Sequence, residues 1–383
     1  MKQKTSNEDA DKNGQSEQKR FGVRDLARLA NVAVGTVDRA LNGRPGIRES
    51  TREHILKLAR DNGYVPNLSA RALSFKRSSL RIGLCIPREI RYFYDQIYSG
   101  FTEEAARYKH VGLEVLYKPV SRLNSPSASA INALLDSGVD ALVITPGRAK
   151  SMAPMIEKAE RERNVRVVCI ASDDSPTCRS TAISVDPAVN GSVAAELMAK
   201  IVPPGTKVAI LTGMLATEEH KIKVNSFCRT FPVECRGGKV VRIIQGHEDE
   251  EEVFTKTIQL LRELKDLGGI YISTVNSIPV CRAVEVEGRA GKIRVISTDL
   301  FAELTPYFIN GTLSASIYQN PFRQGQIAVQ LIVDHLLHGK PFPHTCYLNP
   351  IVALRSNLRM FREMRDTHPS LNSLDSNMIV DSL

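Results

Sequence analysis

Nine short apolar runs, separated by amphipathic stretches of helical length, restrict most severely what this chain can fold into. From Leu80 onward they read RIGLCI, LEVLY, ALVIT, VRVVCI, KVAILT, VVRIIQ, GGIYIS, IRVIST and LSASIY. Between them lie FYDQIYSGFTEEAARYK, AKSMAPMIEKAERER and EVFTKTIQLLRELKDL, whose apolar residues recur at helical spacing. Strands that alternate with helices at this spacing form parallel sheets covered by helices on both faces. Nine strands are too many for one comfortable sheet, so two lobes are expected, dividing near Asp186 and Gly191. At 383 residues and 42% hydrophobic content, the chain can supply the cores of two or three compact units.

The segment from Phe21 to Phe75 has a different texture. VRDLARLA places Val23, Leu26, Leu29 and Ala30 on one helical face, and Asn31 interrupts it. VAVGTVDRAL then aligns Val34, Val37 and Leu41, and NGRPG stops that helix with turn chemistry. A third helix is expected in ESTREHILKLARDNG, with Ile55, Leu58 and Ala59 facing inward. Helix, short turn, helix and a supporting third helix describe a helix-turn-helix. Residues 21–80 hold eleven Lys and Arg against five Asp and Glu, within a chain of net charge +9. Such a concentration is either a solvated basic face or a surface for a polyanion. The following YVPNLSARALSFKRSS is a linker or a conditional helix, because isolated helices below about 12 residues are marginal in water.

Other classes are disfavoured. No run of about 18 apolar residues is present, so a membrane span is not expected. MKQKTSNEDADKNGQSEQKR has no apolar core to act as a secretory signal and reads as a disordered tail, which points to the cytoplasm. The seven cysteines are scattered and form no C-x-x-C pair, so buried reduced thiols are expected, with no metal site and no cofactor.

The residues 23–73, VRDLARLANVAVGTVDRALNGRPGIRESTREHILKLARDNGYVPNLSARAL, closely resemble the DNA-binding end of the lactose-repressor (LacI/GalR) family. The carrying features are the D-x-A-x-x-A-like first helix, V-x-x-x-T-V-x-R-x-L-N-G in the second, TRE opening the third, and GY-x-PN before ARAL. The α/β remainder looks like that family's effector domain, of the periplasmic sugar-binding type. The resemblance implies a tail at 1–20, a helix-turn-helix headpiece at 21–65 and a hinge helix at 66–79. It further implies a two-lobed effector and dimerisation domain at 80–362 and a polar tail at 363–383. The first lobe would take about 80–186 and 320–350, the second about 187–319. Ala33 and Asp38 depart from the serines usual in the family.

In a helix-turn-helix the second helix enters the major groove N-terminus first. Val34 and Gly35 would then make apolar contact or close approach to bases. Arg39 would either read guanine O6 and N7, worth about 1–3 kcal/mol of discrimination, or form a surface ion pair. Thr36, Arg24 and Asn42 would touch phosphate. The hinge would add Asn67, Arg71 and Leu73. By resemblance Leu73 wedges into the minor groove; its alternative is packing against the α/β domain. A homodimer on a roughly palindromic operator follows, with a tetramer possible.

In two-lobed α/β proteins a ligand sits where loops leave the carboxyl ends of the strands. Candidates there are Arg91, Phe93 and Tyr94, then Asp173, His220 and Lys223, and then Asn276, Asp299 and Gln319. Carboxylates, amides and an aromatic suit a sugar or polyol, whose hydroxyls need fixed partners. The sequence therefore reads as a DNA-binding transcriptional regulator, expected to repress, and not as an enzyme. The alternatives are a cytoplasmic or transport-type sugar-binding protein and a sugar-handling enzyme on the same fold. H-E-x-x-H, G-x-S-x-G and phosphate-loop motifs are all absent.

Overall fold

A computed structural model describes residues 22–41, 46–62, 79–88, 90–121, 128–146, 152–173, 177–247 and 249–361. The chain divides into two compact units, Met1–Ser74 and Phe75–Leu383. In the first, α1 spans Val23–Leu29, α2 Val34–Leu41 and α3 Glu49–Asp61. Asp25 accepts the Gly22 amide at 2.9 Å and closes the start of α1. Asn31, at φ 51°, takes the left-handed conformation that reverses the chain between α1 and α2.

Leu26, Ala27, Val37, Ala40, Ile55 and Ala59 form the small core of this unit. Two residues of the expected stripes lie elsewhere: Leu29 is 52% exposed and Val34 48% exposed. Helices of only seven and eight residues meet their partners over little more than one turn, so an apolar stripe drawn along their whole length overestimates what is covered.

The second unit holds two six-stranded sheets. The strands are β1 (Leu80–Cys85), β2 (Leu113–Tyr117), β3 (Ala141–Ile144), β4 (Arg166–Ile170), β5 (Thr181–Val185) and β6 (Lys207–Thr212). They continue with β7 (Lys239–Gln245), β8 (Leu267–Ile272), β9 (Arg294–Thr298), β10 (Ala315–Tyr318), β11 (Thr345–Leu348) and β12 (Ile351–Ala353). The first sheet runs β11-β5-β4-β3-β1-β2 and the second β12-β10-β9-β8-β6-β7. All neighbours are parallel except β12, which is antiparallel to β10. Three strands, β5, β11 and β12, are absent from the nine apolar runs. TAISV is wholly buried, yet its Thr181 and Ser184 break the apolar pattern, and β11 and β12 are short edge strands.

Helices cover the sheets: α4 (Arg91–Ala106), α5 (Ala128–Asp136), α6 (Ala153–Glu157), α7 (Pro187–Ile201) and α8 (Glu218–Glu234). They are followed by α9 (Glu250–Glu263), α10 (Ser277–Val286), α11 (Thr305–Ile309) and α12 (Pro321–His338). The chain passes between sheets three times, at Asp186-Pro187, Asn320-Pro321 and Asn349-Pro350. Each crossing is an Asp/Asn-Pro step. Proline keeps the preceding residue out of the right-handed helical region, while at the first two crossings it also opens a helix. There Asp186 accepts from Ala188 N at 2.8 Å, and Asn320 from Arg323 N at 3.2 Å.

All seven cysteines are free; four are buried, and Cys178, Cys228 and Cys346 are half-buried, against the expectation of full burial. No helix among the described residues is long and apolar enough to cross a membrane.

Glycines set how closely the helices approach. A Cβ on Gly325 of α12 would lie 2.2 Å from the Ile97 carbonyl oxygen of α4, and one on Gly100 would lie 1.9 Å from that of Phe322. Gly325→Ala should therefore cost about 1–3 kcal/mol, since backbone rather than a flexible side chain must move. A urea unfolding midpoint equal to that of the parent would refute this close crossing.

Candidate functional site

In the first unit, Arg24, Val34, Gly35 and Arg39 are all exposed and Thr36 is half-buried. A Cβ on Gly35 would meet nothing within 4 Å, so open space surrounds the start of α2. Arg52 of α3 donates to the Arg39 carbonyl at 3.4 Å and fastens the end of α2 to its supporting helix. The exposed face of α2 is thus held from behind while its front carries little but backbone, Val34 and the Arg39 guanidinium. Asn42, Asn67, Arg71 and Leu73 lie outside the described residues.

In the second unit, a polar cluster sits at the carboxyl ends of the second sheet. Asp299 directly follows β9, at φ 71°, and is buried. Gln319, directly after β10, donates to its Oδ1 at 2.7 Å and is held in turn by Gln324, which donates to the Gln319 carbonyl at 2.9 Å. Burial pushes the Asp299 carboxyl up to about 6, against the opposing pull of Lys223 and the Gln319 hydrogen bond.

Lys223 reaches this cluster from α8, with its side chain 3% exposed. Its Nζ lies 2.6 Å from Glu219, one turn earlier on the same helix. Burial works against both charges, yet each stabilises the other: Glu219 stays below the usual carboxylate range and Lys223 above the usual lysine range. Tyr271 is fully buried beside them, donating to Asn190 Oδ1 and sharing a hydrogen bond with Thr298, both at 3.3 Å. Gly191 admits α8 here, since a Cβ on it would lie 2.2 Å from the Lys223 carbonyl oxygen.

Other expected residues lie apart from this cluster. Both oxygens of Asp173 accept from Arg179, whose guanidinium also donates to the His344 carbonyl at 3.0 Å. That carboxylate is committed to holding β11 against its neighbours. Arg91 is exposed and pairs with Asp95 at 3.3 Å. Phe93 and Tyr94 are buried on α4 as an edge-to-face pair with centroids 5.3 Å apart. Arg91, Phe93 and Tyr94 were expected to meet the ligand after β1, but they form the first turn of α4, which turns both rings inward. Asn276 is buried directly before α10.

The aromatic that faces the second lobe is instead Tyr92, stacked on Phe301 at 4.4 Å. Tyr318 also donates to Gln96 of α4 at 2.9 Å, so two contacts join α4 to the ends of β9 and β10. Glu219, Tyr271, Asn190 and Tyr92 were not singled out from the sequence. The i, i+4 spacing of Glu219 and Lys223 was a legible signal for that pair. Among the described residues, no group of three or more His, Cys, Asp or Glu could hold a metal ion.

Comparison with known proteins assigns both units. Residues 82–341 match a family described as periplasmic binding protein domain, and residues 23–67 match the bacterial regulatory proteins of the lacI family. Catabolite control protein A of Priestia megaterium is 26% identical over 257 residues, 66% of this chain and 73% of that protein. The HTH-type transcriptional regulator MalR of Clostridium butyricum is 36% identical over 77 residues, 20% of this chain and 23% of that one. An ABC transporter solute binding protein of Burkholderia graminis C4D1M, solved with D-arabinose, has a TM-score of 0.68 at 22% identity. That match covers 74% of this chain and 98% of the other, and it bears on fold alone. The chain therefore belongs to the family of periplasmic binding protein domains, and joins to it the amino-terminal helix-turn-helix unit of the lacI family of bacterial regulatory proteins.

Proposed function

We propose that this protein is a sequence-specific transcriptional regulator whose operator affinity is set by a small sugar or polyol bound at the Asp299–Gln319–Lys223 cluster. It binds its effector without turning it over and acts in the cytoplasm as a homodimer. The observation that carries this reading is the presence, in one chain, of an exposed face of α2 and a buried, hydrogen-bonded carboxylate at the strand ends of a periplasmic-binding-protein fold. Both named relatives are regulators, and their match supports the DNA-binding half.

Regulation follows from linkage. An effector shifts DNA affinity only by its differential affinity for two forms of the protein. The segment 66–79, with Asn67, Arg71 and Leu73, is proposed to respond by folding on DNA. Selection of bound duplexes from a random pool, with and without a polyol panel, tests the whole reading. A chain that shows no preference among duplexes at low salt is not such a regulator.

Within that scheme Arg39→Ala should cost about 1–3 kcal/mol on the selected operator and relax specificity at one base pair. Arg24→Ala should weaken all duplexes alike and lower the salt slope by about one. Fluorescence anisotropy across salt separates the two. Equal losses on specific and random DNA at Arg39 would make it a phosphate contact instead.

A further inference from the structure

A groove lies at the end of the second sheet opposite Asp299. It is built on the amino ends of four neighbouring strands: β10 at Ala315, β9 at Arg294, β8 at Gly268 and β6 at Lys207. Two hollows, of about 550 Å³ and about 350 Å³, run together there, since Ile201 and Arg294 line both. Neighbouring strands lie about 4.8 Å apart, so the groove is about 14 Å long, the span of about four residues of extended chain. Arg294 opens β9 and Asp299 follows it, which puts the groove about 15 Å from the effector cluster.

The two halves of the groove differ. Toward β10 it is aliphatic: Leu197 and Ile201 stand one turn apart at the end of α7, and Leu354, just after β12, is 40% exposed. Toward β6 it is basic. Lys207 is matched there by Asp266, and the Lys292 ammonium donates to the Gly288 carbonyl at 3.0 Å. Among the described residues neither Lys292 nor Arg294 makes an ion pair, and both are exposed. Aliphatic side chains in water beside two unmatched cations suit a segment that carries apolar residues and two negative charges. The chain itself holds one. Residues 371–383, LNSLDSNMIVDSL, lie outside the described residues, and their sequence has Asp375 and Asp381 but no Lys or Arg. Leu374, Met378, Ile379 and Val380 accompany the two aspartates. Chain length allows the contact. Phe361, the last described residue, packs edge-on against Tyr318 with ring centroids 5.3 Å apart. Tyr318 ends β10 and Ala315 begins it, so the groove starts about 10 Å from that ring. The stretch from Phe361 to Leu374 reaches up to about 40 Å when extended.

We propose that residues 374–381 occupy this groove on their own chain, with their aliphatic side chains against Leu197, Ile201 and Leu354 and their aspartates facing Arg294 and Lys292. The tether supplies a high effective concentration, so exposed ion pairs and a modest apolar contact suffice. Occupied in this way, the groove is closed to a second copy of the chain and to acidic segments of other proteins.

The test places the photo-cross-linker p-benzoylphenylalanine at Met378 of the whole chain and maps its adducts by mass spectrometry. Isotope-labelled and unlabelled chains are mixed, so that adducts within one chain are told from adducts between two. Adducts within one chain at Leu197, Ile201, Arg294 or Leu354 are expected. Lys292→Glu/Arg294→Glu should lower their yield at least about fivefold, and adding Asp375→Arg/Asp381→Arg should restore it to within about twofold. A fluorescent peptide of residues 371–383, followed by anisotropy, should bind the Asp375→Arg/Asp381→Arg chain at least about fivefold more tightly than the parent, whose groove is filled. Adducts that ignore both charge reversals, or that fall outside the groove, overturn the proposal. Adducts between chains overturn it in favour of a second copy. A groove that yields no adduct and takes up no peptide overturns it too, and leaves the place to an acidic segment of another protein.

Discussion

Lys223→Met should destabilise the second unit by about 3–5 kcal/mol. The ammonium is nearly inaccessible and lies 2.6 Å from Glu219. Removing it leaves that carboxylate, and Asp299 beyond it, without the charge that offsets their burial. Truncating an exposed lysine such as Lys200 should cost little, because its pair with Glu196 is solvated on both sides. The double variant Glu219→Gln/Lys223→Met should recover most of the loss, since removing both charges removes the need to match them. Urea unfolding followed by circular dichroism measures both. A loss for Lys223→Met no larger than that for Lys200→Met would mean that the pair is solvated after all.

Asp299→Asn should raise stability while it weakens effector binding. Burial lifts this carboxyl from 3.8 to about 6, so the folded protein holds a proton that the unfolded chain has already lost. The sign follows directly. Below about 3.8 the protonated group carries no penalty, and the advantage disappears as pH rises through about 6. At neutral pH the charged form costs on the order of 3 kcal/mol, which the amide, still able to accept from Gln319, avoids in part. Effector affinity should move the other way, falling about tenfold or more, because a carboxylate grips hydroxyls more strongly than an amide. In the parent chain affinity should also decline between pH 7 and pH 5, and in Asp299→Asn it should stay flat. Calorimetry at both pH values, with thermal melts of the two proteins, reads all of this. An Asp299→Asn protein that melts lower and binds equally well would remove Asp299 from the site.

Much of the α/β unit was legible because its signals are local. The apolar runs of β1, β4, β6 and β8 are buried parallel strands, and such strands read as near-continuous hydrophobic segments. β5 was not legible for the same reason, since its threonine and serine are buried by neighbours far along the chain. The crossings between sheets could have been found from three Asp/Asn-Pro steps, a backbone signal independent of hydropathy. In the headpiece the three helices were readable, but the exposure of Leu29 and Val34 depends on how little of each short helix its neighbours cover.

The candidate site divides in the same way. Position near the end of a strand marked Asp173, Asp299 and Gln319 all as candidates, because that signal is local. Their environments differ through partners brought from elsewhere. Arg179, anchored by a carbonyl 165 residues away, takes both oxygens of Asp173, while Asp299 is buried against Gln319 and the Lys223–Glu219 pair. By itself, then, the sequence determined the types of element, their order and the residues at strand ends, since these depend on periodicity and on neighbours a few positions apart. Only the tertiary structure decided which of those end residues are buried, matched in charge or left to accept from a ligand, because desolvation and Coulomb energy depend on distances in space that no local pattern contains.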